Sequence, residues 1–149
     1  MKKTLKFATL LLISTVFLFA CKKKKIEEPY NPIKGVWVET PVQNYNRKLI
    51  FKDGGKFTMD LTTINYIDYM ETLNGTYSIE GDKLLINITE KQDKRMNGTI
   101  LKTTVVNDKL FENNIYNINN LVLSITYTTY PADAPLRTVA KFNKVVPID

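Results

Sequence analysis

Beyond residue 33, apolar and polar residues alternate along this chain at a period of two, and that spacing fits half-buried strands rather than helices. Lys56-Phe57-Thr58-Met59-Asp60-Leu61-Thr62 puts Phe57, Met59 and Leu61 on one face and Thr58 and Asp60 on the other. Leu121 to Tyr127 repeats the pattern, with Leu121, Leu123, Ile125 and Tyr127 on one side. Turn residues fall between such runs. Asp53-Gly54-Gly55, Gly81-Asp82 and Asn119-Asn120 supply the left-handed backbone that tight hairpins need, so neighbouring strands are expected to be antiparallel.

Strands are predicted near 33–40, 47–52, 56–63, 73–80, 83–89, 99–106, 111–118, 121–128 and 136–145. Eight or nine short strands with up-and-down connections favour an all-β antiparallel barrel, because closure removes unpaired edges. A two-sheet sandwich is the alternative. Thr99 to Ile118 reads equally as one long strand bent at Asn107-Asp108, which would give eight. Between Thr62 and Thr72 the pattern loosens, and Tyr66, Tyr69, Met70 and Leu73 recur at helical spacing, so a short helix or lid competes there with a plain long hairpin.

The N-terminus has a different character. Met1-Lys2-Lys3 precedes an apolar run from Phe7 to Phe19, which is signal-peptide architecture. A membrane-spanning helix needs about 20 apolar residues, and this run is shorter. Leu18-Phe19-Ala20-Cys21 resembles the lipobox of bacterial lipoproteins, although Phe19 is bulkier than the usual occupant. The resemblance implies cleavage before Cys21 and lipid on its sulfur, which accounts for a single cysteine in an exported chain. The expected organisation is a signal peptide over 1–20, a lipidated cysteine with a basic, proline-containing tether over 21–32, and one β-domain over 33–146.

The formal charge of +6 belongs to the precursor. Seven of the 21 basic residues precede Ile26, which leaves 14 against 15 acidic residues from Ile26 to Asp149. A near-neutral domain lacks the basic face that nucleic acid requires, so no nucleic-acid partner is expected. Lys22 to Lys25 suit either anionic headgroups beside the lipid anchor or a solvated spacer.

Catalytic chemistry has few residues to use. The chain has no histidine, and its one thiol is assigned to lipid, so histidine-based triads and thiolate metal sites are excluded. Asp53 and Asp82 occupy turns, Asp60 faces outward, and Glu27-Glu28 lie in the tether. Neither enzyme activity nor a metal or cofactor is expected.

Gly35-Val36-Trp37, the hairpin from Leu49 to Phe57, Gly75-Thr76-Tyr77-Ser78-Ile79 with Gly81-Asp82-Lys83-Leu84, and Lys141-Phe142-Asn143-Lys144 together resemble the small lipocalin-like lipoproteins of Gram-negative envelopes. The resemblance implies that Trp37 closes one barrel end beneath a basic side chain of the last strand, for which Arg137 is the first candidate and Lys141 the second. The Thr-Asp-Tyr run of larger lipocalins is absent. Trp37, Phe57, Met59, Tyr77, Tyr127 and Phe142 are the candidate barrel-lining residues. They imply a small apolar ligand if a cavity exists, and a plain core if side chains fill the barrel. The competing role is protein interaction as an inhibitor, scaffold or accessory subunit, for which Tyr45, Tyr66, Tyr69 and Tyr130 are suited. Lys22 after the cysteine is not the aspartate that retains lipoproteins at the inner membrane, so an outer-membrane anchor facing the periplasm is expected.

Overall fold

The structure is a computed structural model, and it describes residues 31–42, 45–63, 68–131 and 134–147. The signal peptide, Cys21, most of the tether and Tyr66 lie outside the described residues. Nine strands follow one another: β1 (Gly35–Glu39), β2 (Tyr45–Phe51), β3 (Lys56–Thr63), β4 (Met70–Glu80), β5 (Lys83–Lys94), β6 (Ile100–Leu110), β7 (Ile115–Asn119), β8 (Val122–Thr129) and β9 (Leu136–Val145). They make one antiparallel sheet in the order β6-β5-β4-β3-β2-β1-β9-β8-β7. Each strand lies beside a neighbour in sequence except where β1 pairs with β9, Val36 opposite Val145 and Glu39 opposite Phe142.

The hairpin turns fall where turn chemistry placed them, with Gly54, Gly55, Gly81 and Asn120 all at positive φ. Met70 and Leu73 belong to β4 rather than to a helix. The ladder is not a closed ring, because β6 and β7 end it and do not pair with each other. The interruption between them is not at Asn107-Asp108. Strand β6 runs on to Leu110, and the chain kinks over Phe111–Asn114, where Phe111 and Asn113 take positive φ.

Inward residues of strands from both halves of the sheet meet in one core. Trp37, Leu49, Phe51, Phe57, Ile88, Leu123, Ile125 and Phe142 are essentially inaccessible to water. Among the described residues no helix or second sheet covers that face, so the sheet must curve over itself to bury it. Aromatic rings fill the fold, Phe51 lying 5.2 Å from Phe57 and 5.0 Å from Tyr77, and Phe111 4.9 Å from Tyr127.

A bulge resets the register in the middle of the β4–β5 hairpin. Asn74 faces Glu90 and Gly75 faces Ile88, so Thr89 has no opposite number. Beyond it the alternation of β5 changes phase, and Glu90 turns to the outer face to accept a hydrogen bond from Asn74 Nδ2 at 3.0 Å. The backbones approach closely at this point. A Cβ on Gly75 would sit 2.0 Å from the Asn87 carbonyl oxygen, so only glycine fits.

Candidate functional site

At one end of the core, Trp37 Nε1 donates to the Ile33 carbonyl at 2.7 Å, and the ring lies beneath Lys144, whose Nζ is 5.1 Å from its centroid. The same ammonium donates to Pro32 O at 3.2 Å. The expected partner Arg137 is elsewhere: it donates through Nη1 to the Asn113 carbonyl at 2.7 Å, near the opposite end of β9. Strand alternation explains the correction. Ala140 and Phe142 point inward, so Lys144 shares their face, whereas Arg137 and Lys141 share the outer one. Asn31 and Pro32, read from sequence as the end of the tether, are tied into this end, with Asn31 Nδ2 donating to the Tyr77 hydroxyl at 3.0 Å.

Deeper along the same inner face, the alternation that buries Trp37 also buries Glu39, and that of Leu49 and Phe51 directs Arg47 inward. Arg47 Nε donates to Glu39 Oε2 at 2.7 Å, and Nη2 donates to Oε1 of the same carboxylate. Glu39 is only 4% exposed, so this is a two-point ion pair inside the fold. The guanidinium also lies 5.8 Å from the Phe111 ring and 5.6 Å from that of Phe142. Burial by itself would lower the Arg47 pKa, but bonding to Glu39, then to Tyr127, outweighs it and raises the value above that of ordinary arginine. Sequence reading did not single out this pair. The signal was present in parity alone, since each residue stands two positions from an inward hydrophobic one.

The six candidate lining residues all belong to the core or pack against it. Trp37, Phe57, Met59 and Phe142 are buried members of the packed core, and Tyr127 packs against it. Tyr77 also lines a cleft of about 590 Å³ between the first half of β5, the end of β6 and the kink that follows. Leu84, Leu85, Ile86, Leu110 and Phe111 form its apolar part, with Lys83, Lys109 and Glu112 among its polar groups.

The cleft exists because the ladder breaks here, and Asn114 holds the break together. Its Oδ1 accepts from Leu84 N at 2.9 Å, and its Nδ2 donates to Leu84 O at 2.8 Å and to Phe111 O at 2.6 Å. A side-chain amide thus occupies the place that a neighbouring strand's backbone would take beside β5. One backbone bond follows it, Tyr116 N to Asp82 O at 2.9 Å, and on the other side Thr128 N donates to Glu112 O at 3.1 Å. The chain thereby changes partners from β5 to β8 within five residues.

Toward the far ends of β4 and β5 the inner face becomes polar. Tyr69 donates to Asp93 Oδ1 at 2.7 Å, and Lys91 pairs with Glu71, which raises the Lys91 pKa. The Tyr69 phenol is pushed up to about 12, first by its bond to Asp93, because ionisation would set a phenolate against a carboxylate. Since the folded pKa is the higher one, the contribution of Tyr69 to stability is complete below its ordinary value of 10.0 and is lost as pH rises toward 12. In an ultraviolet titration, Tyr69→Phe is expected to remove a phenol that ionises late, toward pH 12. A variant curve that merely scales the parent curve would refute this assignment.

Of the remaining tyrosines considered for a protein surface, Tyr45 and Tyr130 are exposed. Among the described residues no three His, Cys, Asp or Glu side chains are placed to hold a metal ion, and no helix is long and apolar enough to cross a membrane. Comparison of the chain with protein-family models, with curated proteins and with solved structures yields no match.

Proposed function

We propose that this chain is a lipid-anchored envelope protein of the lipocalin-like kind, whose β-domain binds a small apolar ligand in the cleft beside Asn114. The observation that carries the reading is the cleft itself. Its volume of about 590 Å³ lies within the range of small-molecule sites, and it combines an apolar floor with a few polar groups at its margin. The ligand site is thus displaced from the packed interior to the seam. On this reading the nine strands are a barrel whose last closure is made by Asn114 and the Tyr116–Asp82 bond instead of by a continuous ladder. The role is binding without catalysis, given the absence of histidine and a sole cysteine assigned to lipid. The lipid on Cys21 would hold the domain at the outer membrane, facing the periplasm.

The test starts from the full chain extracted in detergent from its own host. Native mass spectrometry is expected to show a co-purifying small molecule. A hydrophobic naphthylamine dye should bind saturably, and Leu85→Glu, which puts a charge on a partly exposed wall of the cleft, should weaken it about tenfold or more. Circular dichroism should be unchanged. If nothing co-purifies and the dye does not saturate, the cleft is not a ligand site.

A further inference from the structure

We propose that β6 is the docking edge for a second copy of this chain, the two strands pairing antiparallel about a twofold axis at Val105. Strand β6 ends the sheet: it bonds to β5 on one side, and among the described residues no strand lies on the other. The outer edge of this eleven-residue strand, whose register against β5 shifts at Val106–Asn107 and again at Leu101, presents unpaired N–H and C=O groups, which are a template for a further strand. Nearly all of β6 is exposed on both faces, and Val105, at its centre, is 86% exposed.

The sequence of the edge specifies its partner. Lys102-Thr103-Thr104-Val105-Val106-Asn107-Asp108 carries a cation three residues before Val105 and an anion three residues after it. Laid antiparallel on itself about Val105, each Lys102 faces the Asp108 of the other copy, Thr103 faces Asn107, Thr104 faces Val106, and the two Val105 side chains meet. Slipping by one residue moves both charges off their partners, so a single register is selected. Neither Lys102 nor Asp108 takes part in an ion pair within the described residues. A strand complementary to itself needs no second protein, and twofold symmetry makes both charge contacts at once.

Sedimentation velocity of the full chain in detergent reads the association directly. A dimer is expected. Lys102→Asp and Asp108→Lys should each weaken it about tenfold or more, and the double variant Lys102→Asp/Asp108→Lys should restore it, because the exchange leaves every cross-strand pair opposite in sign. Mild oxidation should link Val105→Cys chains through the twofold and leave Lys109→Cys chains largely unlinked, the latter serving also as the control for Cys21. All these positions are exposed, so none of the substitutions disturbs the core. A monomer at every concentration, a dimer indifferent to the charge exchange, or equal linking at residues 105 and 109 would each overturn the proposal; a foreign chain captured in place of a second copy would do the same.

Discussion

Replacing Asn114 with leucine is expected to lower the stability of the domain by about 3–5 kcal/mol, since it strips partners from three backbone groups in a buried setting. Leu84 loses both its donor and its acceptor contact, and Phe111 loses its acceptor contact. Each orphaned buried group costs about 1–3 kcal/mol, and the adjoining cleft lets water reach some of them, which holds the sum below the maximum. Asn114→Asp should be nearly as damaging. A carboxylate keeps the bond from Leu84 N but turns two donations into repulsion from the carbonyls of Leu84 and Phe111. Urea unfolding would show the midpoint falling with little change in slope. A loss under about 1 kcal/mol for both variants would mean that Asn114 does not close the seam.

Removing Glu39 alone is expected to cost about 3–4 kcal/mol, since Arg47 would keep its charge with no carboxylate beside it. The Phe111 and Phe142 rings would offset part of that loss, which is why the estimate sits at the lower end of the range for a broken buried pair. The informative variant is the double one. Glu39→Leu with Arg47→Met removes both charges and fills similar volume, and it should lie within about 2 kcal/mol of the parent protein in either direction. Equal destabilisation by single and double variants would show that the pair acts through packing and not through charge. The four stabilities form a double-mutant cycle whose coupling energy isolates the interaction.

The strand count and the hairpins could be read from the chain because their causes are local. Alternation over Phe57, Met59 and Leu61, and glycine or asparagine at Gly54, Gly81 and Asn120, depend on neighbours a few residues away. The ends of β5 and β6 were harder to place. From Glu90 to Lys94 and from Lys102 to Lys109 the strands are mostly polar, with Val106 packing against the core, so hydrophobic periodicity hardly marks them. The change of phase at Thr89 and the kink at Phe111 arise from the approach of other strands, and no local pattern reports that. The pairing of Trp37 with Lys144 was within reach: counting by twos from Phe142 selects Lys144 and rejects Arg137. The cleft was beyond sequence reading, because it is formed by a side chain replacing a strand, and Asn114 resembles any other asparagine in a turn.

The pairing of β1 with β9 joins Val36 to Val145 across almost the whole domain, while every other ladder links strands adjacent in the chain. Seven hairpin-like steps can therefore form early and independently on each side of the kink, and the first strand must then wait for the last to be made. The entropy of closing that one long loop falls on a single five-residue strand, which makes its docking the natural candidate for the slow step of folding. A circular permutant with its ends joined near residues 33 and 146 and reopened at the kink would turn the sheet into a run of consecutive neighbours. It would keep every strand pair, and the seam bonds of Asn114 to Leu84 and of Tyr116 to Asp82 would become long-range in its place.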